Sequence, residues 1–479
     1  MRGRHVAPPL RIGVWCDYGV TLTPTEGIGV FIWNLIGGLL ELDEPVQVVM
    51  LVAPGDQWLV ENLQKRFPSR LQVTPPARSS SLQFWIRLIA RLRRKAQGVN
   101  RRIAFRRATL ASQGSSQPLT KIQLGILSRL EFLKVVWQEM LAICSVVFKI
   151  VPGFRSIRAG WNATFDPLVV CRNAGCDVWL IPSNRFRYPL TFPSVLVIHD
   201  LVHVHYPDAV PDDVRWELEK LVPARAAEAT LCACMSRFIR DTDLRGKMRL
   251  PPEKIRFISP APPADFPEIK RSDETAKKLA KLPQPYLYYP AAFRSYKNHV
   301  ALIEALHLVN QSCGENSFDL VLTGIHRPPQ SLTGKIAELG LKDRVHILGC
   351  VDRATLAAFY QDAFATIVPS LYEQGSFPIY EALHWGCPVA CSNIPSLLEQ
   401  CQPLGDAMIY FNPHDPRAIG EAIFQLRDNR EVILHRQKSA RPSLWKRTWR
   451  DAAAEWLAAL REASHIAGRH EVSELRQSA

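Results

Sequence analysis

The sequence predicts an α/β protein of two doubly wound, Rossmann-like domains that face a cleft, with a basic helical insertion in the first. Three observations lead there. Apolar runs of strand length alternate with helical patterns in two separate stretches of the chain. A charged segment, residues 266–284, divides those stretches and reads as a linker. The first stretch is broken over residues 75–160 by a segment that is basic and apolar together. A length of 479 residues suits two domains and an extension, and an apolar content of 47% is enough to fill two cores.

The first domain is expected over residues 1–265. Arg11 to Cys16 reads as a buried strand, Gly27-Ile28-Gly29-Val30 as a glycine-marked loop, Phe31 to Leu42 as a helix and Val46 to Ala53 as the next strand. A dinucleotide fingerprint would need a third glycine where the chain has Ile32, so an NAD site has only weak support here. Strands resume at Val178 to Pro182, Ser194 to Asp200, Leu231 to Met235 and Glu253 to Ile258. The second domain, residues 285–440, has strands at Tyr286 to Tyr289, Asp319 to Gly324, Val345 to Gly349, Phe364 to Pro369 and Pro388 to Cys391. Two such units place a cleft between their strand ends, where open α/β sheets bind ligands. Residues 441–465 form a C-terminal segment whose Trp445 to Ala463 reads as a helix.

Charge is concentrated in the insertion. Between Glu61 and Glu131 there are fifteen basic residues and no acidic one, against a net charge of +14 for the chain, so the remainder is near neutral. The partner of this charge therefore meets one segment. Phe84 to Lys95 mixes arginine with tryptophan and leucine. Leu124 to Phe148 is helical and apolar-rich, but Arg129, Glu131, Lys134 and Glu139 argue against a spanning helix. A helix of this kind lies in a bilayer interface, where each basic residue near an anionic surface contributes about 1 kcal/mol. The expected partner is an anionic membrane surface met through residues 75–160. Nucleic acid is not expected, since no recognition motif accompanies the charge. The eleven cysteines include no Cys-x-x-Cys pair and read as buried reduced thiols. Residues 1–10 have no apolar signal region and no apolar run reaches 18 residues. The expected location is cytoplasmic, peripheral on the inner face of the cell membrane.

The most informative stretch is Glu373-Gln-Gly-Ser-Phe-Pro-Ile-Tyr-Glu381, in which seven residues separate two glutamates. It follows an apolar strand and opens a helix: Pro378 suits the first helical position, and Gly386 with Pro388 suits the end. A glycine-containing turn at a helix N-terminus presents free amides that attract phosphate oxygens. One carboxylate before the loop and one in the first helical turn can accept hydrogen bonds from sugar hydroxyls. Diphosphate plus hydroxyls describes a nucleotide sugar.

This block resembles the E-x7-E region of the retaining family 4 glycosyltransferases, which have the GT-B fold. Those proteins usually show Glu-Gly-Phe-Gly-Leu-Pro here. With Gln374, Ser376 and Phe377, the chain is similar to the subgroup with a Gly-Ser-Phe-Pro donor loop. The resemblance covers roughly residues 10–55 and 175–460. It implies that Glu373 contacts the transferred sugar and Glu381 the ribose. It also implies that the C-terminal helix crosses back onto the first domain. Ile198-His199-Asp200-Leu201 resembles the family's cleft histidine motif, which makes His199 a hydrogen-bond donor at a strand end. Lys297-Asn298 matches the Lys-Asn of the family's phosphate-binding pattern. The arginine of that pattern is replaced by Ala292, so Arg294 is the substitute to consider. Gly27 and Gly29 match the family's first glycine-rich loop, and Ser236 its Ser-containing cleft loop.

Other polar clusters are read as structural. Asp241-Thr242-Asp243 matches the metal motif of a different transferase fold, but follows Ser236 on a helix and reads as solvated helix surface. His203 and His205 have no further metal ligand near them. No cofactor and no metal are expected, with the nucleotide sugar as co-substrate.

The resulting expectation is a retaining glycosyltransferase that moves a hexose, such as mannose or glucose, from a nucleotide-diphosphate sugar to a hydroxyl acceptor. The acceptor is a membrane-linked glycan of polysaccharide or lipopolysaccharide synthesis. Catalytic residues are Glu373, His199 and Lys297. Donor-binding residues are Glu381, Gly375, Ser376, Phe377, Pro378, Arg294, Gly27, Gly29 and Ser236. Two other classes fit less of the sequence: a non-catalytic glycan- or nucleotide-binding protein of the same fold, and a nucleic-acid-binding module carried by the insertion.

Overall fold

The computed structural model describes residues 8–16, 27–52, 58–74, 174–264, 266, 275, 279–280, 282–314, 317–325 and 327–477. All but residue 174 belong to one compact unit, residues 1–74 with 175–479. The basic insertion, residues 75–160, and most of the linker lie outside the described residues, as does the segment before Gly27.

Within this unit there are two parallel sheets, each the centre of a lobe. The first sheet has strands β1 (Leu10–Trp15), β2 (Val46–Leu51), β3 (Leu71–Thr74), β4 (Val178–Ile181), β5 (Ser194–Val197), β6 (Leu231–Cys234) and β7 (Ile255–Phe257). Their order across the sheet is β3-β2-β1-β4-β5-β6-β7. The second has β8 (Tyr286–Pro290), β9 (Asp319–Thr323), β10 (Val345–Gly349), β11 (Ala365–Val368), β12 (Val389–Ser392) and β13 (Ile409–Phe411), ordered β10-β9-β8-β11-β12-β13. Both orders reverse once, between β1 and β4 and between β8 and β11. Ligands of open α/β sheets bind beyond such switch points. This is the doubly wound, two-lobed α/β architecture the sequence predicts.

The strands are nearly continuous apolar runs because parallel sheets are covered on both faces. Even Tyr286, Tyr288 and Tyr289 of β8 are buried. Their hydroxyls are satisfied internally: Tyr286 donates to the Phe359 carbonyl at 2.9 Å, and Tyr288 lies 2.8 Å from Thr323 Oγ1.

The helices are α1 (Gly27–Glu41), α2 (Trp58–Arg66), α3 (Val202–His205), α4 (Asp212–Glu228), α5 (His299–Cys313), α6 (Gln330–Glu338), α7 (Arg353–Asp362), α8 (Phe377–Trp385), α9 (Pro395–Cys401), α10 (Pro416–Asp428), α11 (Arg430–Trp445) and α12 (Trp449–Gln477). A π-helix spans Ile239–Lys247.

Two readings of local structure change. Gly27 and Gly29 were expected in a loop; both lie in the first turn of α1, since glycine is tolerated where a helix starts and packs closely. The helix expected over Trp445 to Ala463 is two helices, α11 and α12, that meet between Trp445 and Trp449. α12 packs on α1 of the first lobe, where the Phe31 ring meets Trp449 and Trp456 at centroid distances of 6.0 and 5.7 Å.

Among the described residues no helix is long and apolar enough to cross a membrane, and no cluster of side chains could hold a metal ion. Cys232, Cys234, Cys387, Cys391 and Cys401 are buried thiols. Burial pushes the Cys232, Cys234 and Cys387 thiols up to about 12, which keeps them protonated and unreactive.

Candidate functional site

The site is assembled where β8 and β11 end beside the switch point of the second sheet. After β8 the chain turns through Ala291 to Lys297 into α5. Asn298 sits at the junction in the left-handed region (φ 61°), a conformation that asparagine tolerates better than most residues. Its side-chain amide donates to the Pro369 carbonyl at 3.0 Å and to the Pro413 carbonyl at 2.8 Å. Three loops are thereby fixed around Lys297.

Lys297 reaches the loop after β11 and pairs with Glu373, Nζ to Oε1 at 2.5 Å. Ser370 Oγ donates to the same oxygen at 2.8 Å. Burial alone would lower the Lys297 pKa. The adjacent Glu373 carboxylate, with Tyr296 and Tyr289, outweighs it and holds the ammonium well above its ordinary range. The Lys297 ammonium is therefore charged and oriented onto Glu373.

The next residue, Gln374, crosses to the first lobe. His199 is buried at the end of β5. Its Nε2–H donates to the Pro182 carbonyl at 2.7 Å, and its Nδ1 accepts from Gln374 Nε2 at 2.8 Å. A carbonyl can only accept, so Nε2 carries the proton and the ring is neutral. Burial lowers the His199 pKa, against the opposing effects of Pro182 and Asp200. His199 therefore sits at the lobe boundary as expected, but its donor proton is spent on local backbone. What it offers across the cleft is the orientation of Gln374. Among the described residues, the buried Gln374 Oε1 atom and the neighbouring Ser376 Oγ have no hydrogen-bond partner. Two such atoms two residues apart in one loop are uncommon in a folded protein and suit a ligand's hydroxyls, since the amide oxygen accepts and the serine hydroxyl donates or accepts.

The loop opens α8 at Phe377, with Pro378 in the first turn and Gly386 closing the helix in the left-handed region (φ 73°). Two expectations are corrected here. Glu381 lies one turn further in than the first turn. Burial raises its pKa while a 2.8 Å hydrogen bond from Tyr360 opposes the rise. The run of free amides from Gly375 to Phe377 is also interrupted. Ser376 N–H donates to Gln400 Oε1 at 2.6 Å and the Ser376 carbonyl accepts from Gln400 Nε2 at 2.8 Å, because the side-chain amide of Gln400 matches the backbone edge of the loop. That bidentate contact holds the loop's shape and removes one phosphate ligand.

The remaining candidates fall around this core. Arg294 Nη1 donates to the Ala209 carbonyl of the first lobe at 3.0 Å, so it bridges the lobes. A Cβ built on Gly27 would stand 3.6 Å from the Phe377 ring, which brings the start of α1 onto the donor loop; Gly29 is buried in the same turn. Ser236 Oγ accepts from the N–H of Ile239, the first residue of the π-helix, at 3.1 Å. It lines a cavity of about 450 Å³ with Arg237, Gln374, Gly375, Glu399 and Arg447. A surface hollow of about 760 Å³ at the far end of α1 has its arginines engaged, Arg66 with Glu41 and Arg450 with Asp43, and stands apart from this chemistry.

The reading of Asp241-Thr242-Asp243 as solvated surface holds for Asp241, which pairs with Arg240 and Arg245. It fails for Asp243, which is fully buried. Sequence reasoning also passed over Ser370, Tyr372, Tyr360 and Gln400.

His299, the first residue of α5, carries a pH prediction. Burial, then the Lys297 charge, push its pKa down to about 3, against a hydrogen bond to Ala291. Its stabilising contribution is complete above the ordinary value of 6.5 and is lost as pH falls from there toward 3, because only the unfolded chain takes up the proton. Urea midpoints at pH 7 and 5 are expected to show a decline that His299→Gln reduces, at about 1.4 kcal/mol per pH unit.

Residues 270–441 match the family described as "Glycosyl transferases group 1". That stretch contains Lys297, Glu373 and Glu381. The chain is 30% identical over 251 residues to O-antigen chain mannosyltransferase B of Escherichia coli, and 25% identical over 245 residues to O-antigen chain mannosyltransferase RfbU of Salmonella typhimurium. Each match covers 51% of this chain and 64% of the relative, so the chain spans under two thirds of the length of either. Among solved structures, Anabaena HepE in complex with UDP and glucose superposes with a TM-score of 0.54 at 12% identity, covering 94% of this chain and 100% of that one. The fold is that of the GT-B glycosyltransferases.

Proposed function

We propose that this protein is a retaining glycosyltransferase of the family 4 type that moves a hexose from a nucleotide-diphosphate sugar to the hydroxyl of a glycan acceptor. Mannose is the first sugar to test, since both O-antigen relatives are named mannosyltransferases. The observation that carries the reading is the Lys297–Glu373 pair beside two orphaned oxygens, Gln374 Oε1 and Ser376 Oγ. A diphosphate takes Lys297 as its counter-charge and frees Glu373 toward the sugar. Sugar hydroxyls satisfy the orphaned oxygens.

The step needs the departing β-phosphate stabilised and the acceptor held on the same face. Lys297 supplies the fixed positive charge, in place before the reaction begins. Glu373 is engaged by a cation and a hydroxyl, which suits it to orient the sugar and to balance positive charge developing at the anomeric carbon. That favours a front-face transfer over a covalent glycosyl-enzyme. Glu381, shielded and held by Tyr360, is placed for the ribose. No cofactor or metal is assigned a role. Closure of the lobes around the donor excludes water and sets the acceptor in line.

A thermal-shift screen across UDP-, GDP- and ADP-sugars tests this. One donor at about a hundred times its Kd is expected to add about 2.7 kcal/mol of stability and to be turned over with nucleotide release. Glu381→Ala should abolish the shift. Absence of any stabilising donor, with no release, sinks the proposal. The acceptor is assigned to an anionic membrane surface met through residues 75–160, and turnover run with anionic vesicles should bring the protein down in the pellet at low salt but not high.

A further inference from the structure

We infer that Tyr372 is a positioning residue for the transfer step: its hydroxyl, plugged into a polar socket in the first lobe, sets where Glu373 stands relative to that lobe. The inference rests on the transferase reading above and extends it to residues outside the donor-binding set.

Tyr372 belongs to the second lobe but is 3% exposed, and its ring is packed among first-lobe side chains. The His205 ring lies 4.7 Å away, and Tyr206 and Phe238 each lie 6.0 Å away. The hydroxyl accepts from Leu201 N–H at 2.8 Å and donates to Asp243 Oδ2 at 2.5 Å. The other oxygen of Asp243 accepts from His205 Nε2 at 2.6 Å. Burial first, then Asp200 and Asp243, raise the Tyr372 pKa beyond any working pH, so the hydroxyl stays a donor.

The socket's carboxylate stands on an irregular helix. Ile239 and Leu244 are five residues apart and both fully buried. Asp243, four residues after Ile239, shares its inner face, and the wider turn of the π-helix brings Leu244 to that side as well. Widened turns of this type gather at functional sites. A buried carboxylate is tolerated only with donors on both oxygens, and here one donor comes from each lobe.

The consequence for Glu373 follows from chain order. Residues 199–201 of the first lobe and 372–374 of the second run face to face. They are stapled at both ends, His199 to Gln374 and Leu201 to Tyr372. Glu373 stands between the staples and is turned to Lys297. Its backbone is thus registered to the strand end of β5 while its carboxylate is registered to the second lobe. Removing the Tyr372 staple leaves the carboxylate's own partners intact but frees the peptide that carries it.

Tyr372→Phe and Asp243→Asn test this. Asparagine can accept from Tyr372 with its oxygen and donate to the other tautomer of His205, so it preserves the socket. For Tyr372→Phe, kcat is expected to fall about tenfold or more while donor Kd changes less than about threefold, since misplacement of a reacting group acts on the chemical step. Asp243→Asn should lose much less. A structural readout stands apart from turnover: amide exchange over residues 198–206 and 371–377 should quicken in Tyr372→Phe, with residues 286–290 unchanged. Unaltered exchange overturns the staple. Quickened exchange with wild-type kcat overturns the positioning role. If the unsubstituted protein turns over no nucleotide sugar, the transferase reading fails and exchange alone decides the staple.

Discussion

Lys297→Met is expected to destabilise the protein by about 3–5 kcal/mol and to abolish measurable transfer. The two effects have different origins. The Glu373 side chain is 9% exposed and that of Lys297 19%, so the pair is shielded from water and its charges are poorly screened. Removing the ammonium leaves a carboxylate with one hydroxyl, from Ser370, as its described side-chain donor. Breaking one half of a buried ion pair is far more damaging than replacing both halves. Lys297→Met with Glu373→Gln should therefore recover most of the lost stability, since the amide needs no counter-charge and still accepts from Ser370. Transfer should not recover, because the diphosphate has lost its cation. Guanidinium midpoints of the single and double variants, beside nucleotide release, separate the terms. A single variant as stable as the natural chain would mean that the pair is solvated and that Glu373 is not held in place.

The same pair shows how far the sequence could be read. Glu373 and Lys297 were legible because each follows an apolar strand of a doubly wound sheet, whose strand ends converge, and Glu381 because it closes the block that resembles the E-x7-E region. The alternation of apolar runs was likewise enough for both sheets, since parallel strands buried on two faces leave a strong signal. What the sequence hid was the pairing of side chains across the cleft. Nothing in Gln374 marks it as the partner of His199, and nothing in Gln400 marks it as the brace of Ser376. Such contacts join residues more than twenty positions apart through irregular loops, where neither period 2 nor period 3.6 applies. Asp243 was hidden for a sharper reason. Its neighbours Arg240, Asp241, Thr242 and Arg245 make the segment read as solvated surface, although Asp243 stands four residues after the buried Ile239 and shares its face. Helix starts were misplaced where glycine or proline allowed two boundaries, as at Gly27 and at the turn before α8.

Gly38→Ala is expected to destabilise the protein by more than the ordinary overpacking range of about 1–3 kcal/mol, and to weaken transfer from a distance. Gly38 lies in α1 where α12 crosses it. A Cβ there would stand 2.5 Å from the Trp449 carbonyl oxygen and 3.0 Å from Ala453 Cβ. The first of these is backbone of the opposing helix, so no rotamer change relieves it, and α12 must move outward as a body. Its displacement is felt by Phe31, whose ring touches both Trp449 and Trp456 and also meets the His199 ring edge-on at 5.3 Å. His199 in turn orients Gln374. The contact chain from α12 to the donor loop is continuous, so loosening the crossing helix should lower kcat even where the protein remains folded. Gly37→Ala is the control on the neighbouring position, where the added methyl would meet only Leu63 Cδ2 at 3.7 Å. That variant should match or exceed the stability of the natural chain, because alanine is the better helix former. If Gly38→Ala melts with Gly37→Ala, the two helices have room between them and the C-terminal helix does not brace the site.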